Sequence, residues 1–478
     1  MKTIIQSWAY SLALILTLGS LSAQNSKHID TLRMDLQAIV DQASANYGME
    51  GIEFSLIFDD QWGPETFYSG IRAPGIAVDT AKPWHFAQAV GGYLNYIALK
   101  LIDEGKMSLN DSIGAHMDVA VMGLDGSISV RQLLRHTSVL NEFWGNSAAG
   151  SCFNDIWLLN PTQLGCPQDL LSCLPANKAN PGNFDRNNTN LLVLQFLIDS
   201  VSGQSYEAEI QNRIFTPMGM TKSYLSSCKA VTIDSINGIW QGTNYANNRS
   251  YLRYFSTNGG NRGLIAKSYE VVKFYRALFQ GQLLGSAVMD SIKAIIPGSA
   301  QPQGSYSCAS SIMGYSGYNT DIVEVIDSLG DTTWLYGKGG AGMNGHLTLH
   351  IPTKDYTISF AHNDRSSLLG QRNLAMDLFC YLNAIDTVIT SSVGIVKNEI
   401  QNLAVYPNPA RDFVKLDLPN LGKKYQLSLY SLSGQVIIQK EQFSSDQLSV
   451  SELPQGVYLL RLKADDAVYQ ARFMKTAF

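Results

Sequence analysis

Apolar positions recur along this chain with two different periods, and each change of period marks a new element. Residues 31–47 carry them at helical spacing. Ile52-x-Phe54-x-Leu56-x-Phe58 then alternates as a strand does, Trp62-Gly63-Pro64 turns the chain, and residues 66–70 offer a second strand. Together these predict a hairpin. From Gln88 to Glu104 the period is helical again, with Val90, Leu94, Ile97 and Leu101 in one stripe. Gly91-Gly92 falls in the first turn of that helix. Each glycine costs about 1 kcal/mol relative to alanine, so something other than propensity has to hold the turn. Residues 334–340 end a strand in Lys-Gly-Gly, and 345–351 read as the next strand. Residues 385–403 are polar with mixed Thr, Ser and Val, as expected of a linker. Beyond them Val414-x-Leu416-x-Leu418, residues 426–430 and residues 457–462 read as strands, with turns at Ser433-Gly434 and Pro454-Gln455-Gly456. A separate small β domain is expected there.

Length and composition narrow the reading. At 478 residues the chain can hold two or three domains, and 45% hydrophobic with 16% charged residues is the balance of a soluble globular protein. The net charge of −5 leaves no basic footprint, so nucleic acid is not an expected partner. Residues 1–23 have the form of an export leader: Lys2, an apolar run from Trp8 to Leu18, and Leu21-Ser22-Ala23 as a small-residue cleavage site. That run is too short to span a bilayer, and no later stretch is long enough. Export gives the six cysteines an oxidising setting. Cys152, Cys166 and Cys173 cluster in a loop-rich stretch, where at least one bridge is expected; Cys228, Cys308 and Cys380 are scattered. A Cys152–Cys166 bridge would be worth roughly 3 kcal/mol on the chain-entropy model. The pairing stays open, and so does the alternative of buried free thiols. None of the cysteines has C-x-x-C spacing, so neither a metal nor a cofactor is expected.

Longer motifs carry a family resemblance. Residues 84–117 contain a short apolar approach, a helix and the turn Glu104-Gly105-Lys106-x-x-Leu109-x-Asp111. Residues 128–140 read ISVRQLLRHTSVL, residues 213–224 read RIFTPMGMTKSY, and residues 258–285 place a Gly-Gly turn before a helix that ends in glycines. In this order the segments resemble the β-lactamase and penicillin-binding-protein family of serine hydrolases. The resemblance implies an α+β fold over residues 27–384: an antiparallel sheet packed with helices, a helical subdomain, and a site in the cleft between them. Residues 404–478, with Tyr406-Pro407-Asn408-Pro409, Gly434, Gly456, Tyr458 and Lys475, resemble the C-terminal sorting domain of type IX secretion cargo. That implies a small all-β sandwich and the outer-membrane secretion machinery as partner, with delivery outside the cell or to its surface.

The resemblance also locates three catalytic motifs, and two are degenerate. Counting back from Gly105 puts Gln88 at the nucleophilic serine and Gly91 at the lysine base. A glutamine amide neither attacks a carbonyl nor titrates, and glycine has no side chain. The Tyr-x-Asn motif falls on Arg186 and Asn188, after the turn Pro181-Gly182, and no tyrosine lies between Gly182 and Asp199. The third motif, Lys-x-Gly, is kept as Lys338-Gly339-Gly340. Ser226-Ser227-Cys228-Lys229 spells Ser-x-x-Lys, but in an expected loop without the aiming helix. His136 reads as a structural residue, and His346, His350 and His362 as strand residues without a completing ligand. The reading is an exported, catalytically inactive homologue whose cleft, lined by Gln88, Arg186, Asn188, Lys338 and Gly340, binds a small anionic or peptide ligand of cell-wall type. The alternatives are an active esterase or peptidase with an unplaced nucleophile, and a structural surface module.

Overall fold

The alternating run at 51–58 becomes an inner strand of a nine-stranded antiparallel sheet. The computed structural model describes residues 30–58, 64–73, 75–138, 140–143, 166–174, 182–226, 228, 239–240, 243–244, 263–341, 344–363, 368–385, 400–418, 424–431, 436–464 and 467–476. The sheet strands are β1 (Gly51–Phe58), β2 (Glu65–Ala73), β3 (Ile76–Ala77), β4 (Gln301–Tyr306), β5 (Ala309–Ser316), β6 (Asp321–Ile326), β7 (Thr332–Ala341), β8 (Gly345–Ile351) and β9 (Tyr356–His362). They lie in the order β3-β2-β1-β9-β8-β7-β6-β5-β4. The expected hairpin is present, with Gly51 opposite Gly70 and Phe54 opposite Phe67. Five helices matter to the site: α1 (Val90–Asp103), α2 (Val130–Leu134), α3 (Asn188–Ser202), α4 (Ser268–Phe279) and α5 (Ser286–Lys293).

Alternation in β1 separates two buried faces, not a wet face from a dry one. Phe54, Leu56 and Phe58 are buried, and so are Glu53 and Ser55 between them. The polar face is covered by the start of α4: Glu53 forms a buried ion pair with Lys267, and Ser55 Oγ bonds Ser268 Oγ at 2.6 Å. Losing either partner of such a pair would strand a buried charge at a cost of several kcal/mol. Helix α1 is buried nearly all round, because Tyr93, Tyr96, Ala98 and Leu99 are covered along with the expected stripe. Helix α2 starts at Ser129 with a reciprocal capping box to Gln132, and α3 starts with Asn187 accepting from the Asn190 amide and ends at Gly203 with φ +72°.

These elements belong to a compact unit spanning Ala43–Ala375, while residues 1–42 join 376–478 in a second unit. In the second unit a five-stranded and a three-stranded sheet share a core that includes Val414, Leu416, Leu427, Leu429, Leu460, Leu462 and Phe473. Asn408 of the Pro-Asn-Pro motif ties into this domain by accepting from the Met474 amide at 2.9 Å and donating to Arg472 O at 3.2 Å. Asp35, nearly buried, pairs with Arg472 at 3.0 Å and accepts from Tyr381 Oη at 2.8 Å. The leader, Cys152, Ser433-Gly434 and most of the expected linker lie outside the described residues.

The structure fixes one cysteine pairing. Cys166 pairs with Cys228, 62 residues on, so a Cys152–Cys166 bridge does not form. The folded chain brings these two Cα atoms to 4.6 Å, which proximity in sequence could not reveal. Cys173, Cys308 and Cys380 are disulfide-bonded too, so buried free thiols do not describe the cysteines seen here.

Candidate functional site

The approach to α1 is a tight turn that aims Gln88 into a cleft. Ala87 sits in the left-handed region at φ +37°, which costs a non-glycine residue about 1–2 kcal/mol. Backbone bonds hold it: Phe86 N donates to Leu264 O at 2.9 Å and Ala89 N to Phe86 O at 2.8 Å. Gln88 then donates through Nε2 to Asn188 Oδ1 at 3.0 Å. The glycine pair that propensity could not explain is held by two side chains from elsewhere. Tyr275 Oη donates to Ala89 O at 3.2 Å, and Asn319 Nδ2 donates to Gly91 O at 2.6 Å. A Cβ on Gly92 would lie 2.1 Å from Tyr275 Oη, and one on Gly91 would lie 2.6 Å from Asn319 Nδ2. The volume where a lysine side chain would begin is therefore occupied by Asn319.

Asn319 joins the two sides of the cleft. Its Oδ1 accepts from Lys338 Nζ at 2.7 Å and lies 3.4 Å from His136 Nε2. Its left-handed backbone, φ +45°, is one that asparagine tolerates better than most residues. On the helical side Arg186 Nη1 pairs with Asp321 Oδ1 at 2.9 Å, and Asp321 Oδ2 accepts from the Gly339 amide at 2.6 Å. Asn188 donates from both its backbone and its side chain to Glu142 Oε2, each at 2.8 Å. On the strand side Gly340 is required by close approach: a Cβ there would lie 2.6 Å from Gln88 Cβ and 2.7 Å from His346 Cε1.

Four of the five expected lining residues thus meet. Gln88, Arg186, Asn188 and Lys338, with His136, Asn187, Leu191 and Asn319, line a cleft of about 250 Å³, and Gly340 backs it beneath Gln88. Asp321 and Asn319 were not anticipated from sequence. They follow one another closely in Gly317-Tyr318-Asn319-Thr320-Asp321, a loop-to-strand junction whose only outward sign is an asparagine in a turn. Asp321 also corrects the expected electrostatics, since the two cations share the site with a carboxylate. Burial works against its charged form, but Arg186 and Lys338 outweigh burial and keep Asp321 below the ordinary carboxylate range. Burial, reinforced by Arg186 and opposed by Asp321, pushes the Lys338 ammonium down to about 7.

The remaining candidates are engaged in structural contacts. His136 is buried, and burial together with Lys338 and Arg186 lowers it to about 3, so it is a neutral imidazole at ordinary pH. It works structurally, close to Asn187 N and Asn190 Nδ2 at 3.4 and 3.3 Å. His350 bonds Thr357 Oγ1 at 2.9 Å, and His362 bonds Gln371 Oε1 at 3.1 Å, so their rings do not converge with His346 on a metal. Among the described residues no group of three or more His, Cys, Asp or Glu could hold a metal ion. Ser226 is fully buried and donates to Gly263 O at 3.1 Å, outside the cleft lining; Ser227 and Lys229 lie outside the described residues.

Comparison with known proteins gives two family matches. Residues 95–379, more than half of the chain, match the family described as Beta-lactamase, and residues 404–476 match the Secretion system C-terminal sorting domain. A Bacillus subtilis (strain 168) protein named as a penicillin-binding protein, PbpX, is 26% identical over 210 residues, covering 43% of this chain and 48% of that protein. The chain therefore spans about half the length of that curated relative. Among solved structures, a penicillin-binding protein from Bacillus halodurans is 16% identical with a TM-score of 0.56, covering 71% of this chain and 100% of that one. A D-stereospecific amidohydrolase from Streptomyces sp. is 20% identical with a TM-score of 0.56, covering 70% and 94%. At such identities the structures establish the fold alone. The sorting domain marks a secreted or cell-surface protein and implies type IX secretion machinery as a partner. Among the described residues no helix is long and apolar enough to cross a membrane.

Proposed function

Because the chain belongs to the beta-lactamase family, we propose that it keeps the family's cleft as a binding site and has given up acyl-enzyme chemistry. The observation that carries this reading is the lining itself. Among the described residues that line the cleft there is no serine, threonine, tyrosine or cysteine, and a side chain at Gly91, where the resemblance puts the lysine base, would meet Asn319. The cleft offers amide donors and acceptors from Gln88, Asn188 and Asn319, beside Arg186 and Lys338. Arg186 commits Nη1 to Asp321, and its other N–H groups can still donate. A small ligand with a carboxylate and peptide-like amides suits that set, as a short cell-wall peptide would.

Calorimetry against acyl-D-alanine-type peptides tests the reading. Binding is expected, weakened by salt because charge contributes to it. A Lys338→Ala, Arg186→Ala double variant should lose about tenfold or more in affinity, from charge-assisted bonds worth roughly 1.5–3 kcal/mol each. Equal affinity in the wild type and the double variant would defeat the proposal.

A further inference from the structure

A second cavity, of about 370 Å³, adjoins the cleft, and its charges are not matched among the described residues. Arg131 and Arg135, from α2 and its C-cap, form one wall with Tyr318, and Asp290, Ser291 and Ile295, from α5 and the residues after it, form another. The wall between cavity and cleft is made of two adjacent residue pairs. Arg135 and Tyr318 face the rear cavity, while their successors His136 and Asn319 line the front cleft. Both successors have left-handed backbones, φ +52° and φ +45°, and Asn319 N donates to Leu134 O at 3.0 Å. That bond ties the two pairs together.

The cations in this cavity are oriented but not neutralised. Arg131 Nη1 donates to Tyr318 Oη at 2.9 Å, and its Nε and Nη2 reach Asn110 Oδ1 at 3.3 and 3.0 Å. Those partners are neutral, so the guanidinium is fixed in place with its charge unspent. Arg135 Nε is buried and has no hydrogen-bond partner among the described residues. Asp290, across the cavity, pairs with no cation among the described residues. A buried donor without a partner costs about 1–3 kcal/mol, which a ligand acceptor would relieve. Ile295, 42% exposed, adds an apolar surface at the edge.

We propose that this rear cavity is a binding site for a small zwitterion, a free amino acid or short peptide. Its carboxylate is taken by Arg131 and Arg135, its ammonium by Asp290, and its apolar side chain rests on Ile295. The site shares no charged residue with the cleft, so the cleft reading and this one stand or fall separately. The test is calorimetry of the full mature chain with leucine and phenylalanine, each enantiomer separately. 4-Methylpentanoate lacks the ammonium and 3-methylbutylamine lacks the carboxylate, so these two serve as truncated probes. At least one amino acid should bind, and each truncated probe should bind about tenfold more weakly or not at all, one charge-assisted contact being worth roughly that factor. Arg135→Gln and Asp290→Asn sit on opposite walls and should each weaken binding about tenfold with unchanged thermal unfolding, whereas Lys338→Ala should leave it unaltered. The proposal is overturned by undetectable binding of every amino acid at millimolar concentration. Binding that both wall variants leave unchanged, or amine and carboxylate probes that bind as well as the zwitterion, would overturn it too.

Discussion

The helical wall and the strand wall of the front cleft have met opposite fates. On the proposed reading Gln88, Gly91 and Arg186 stand on the helical wall at the positions the resemblance gives to acyl transfer, while Lys338-Gly339-Gly340 on the strand wall matches the family's pattern. The changed wall has not been left as a gap. Asn319 occupies the volume beside Gly91, Tyr275 that beside Gly92, and each donates to the backbone of the turn. Lys338 has been absorbed into the same network through Asn319, its only hydrogen-bond partner among the described residues. A site that had merely lost its nucleophile would keep room for one. Here Asn319 and Tyr275 leave no such room beside Gly91 and Gly92, which supports the proposed binding surface.

If the wall is closed in this way, Gly91→Lys should be the most damaging change. The new side chain drives Asn319 from both Gly91 O and Lys338, and overpacking of this kind costs about 1–3 kcal/mol before the lost bonds are counted. Urea unfolding measures it. Gln88→Ser combined with Gly91→Lys should be no more stable and should not take up a penicillin; a stable, acylated double variant would mean that room for a base had been there throughout. Asn319→Ala comes next, at roughly 2–3 kcal/mol, because it leaves the buried Lys338 amine without its acceptor and puts alanine in a left-handed backbone. Thermal and urea unfolding that match the wild type would show that Asn319 does not join the walls.

The smallest expected effect is on pH. Lys338, held near 7, carries its charge below that pH and loses it above, while His136 and His346, both near 3, stay neutral throughout. Affinity for a carboxylate ligand should therefore rise as pH falls through 7, by about tenfold between pH 8.5 and pH 6. Lys338→Met should flatten that profile. A flat profile in the wild type would mean that the amine does not meet the anion.

Much of the molecule was legible because it rests on short-range regularities. The stripe in α1, the β1–β2 hairpin and the strands of the sorting domain follow from periodicity, and the motif spacing was enough to bring Gln88, Arg186, Asn188 and Lys338 together. What escaped depends on residues far apart in sequence. Asn319 meets Gly91 across 228 positions and Cys166 meets Cys228 across 62, so no local pattern announces either contact. Burial of Glu53 was equally hidden, since alternation looks the same whether the polar face meets water or Lys267.

Covalent labelling asks outright whether an acyl-enzyme forms. The mature protein is incubated with a reactive penicillin, and separately with a fluorophosphonate probe, and its intact mass is measured before and after. The mass should be unchanged with both, because neither Gln88 nor Gly91 can attack or take a proton. Stoichiometric addition to any serine, with Ser226 the first to check by peptide mapping, would contradict it.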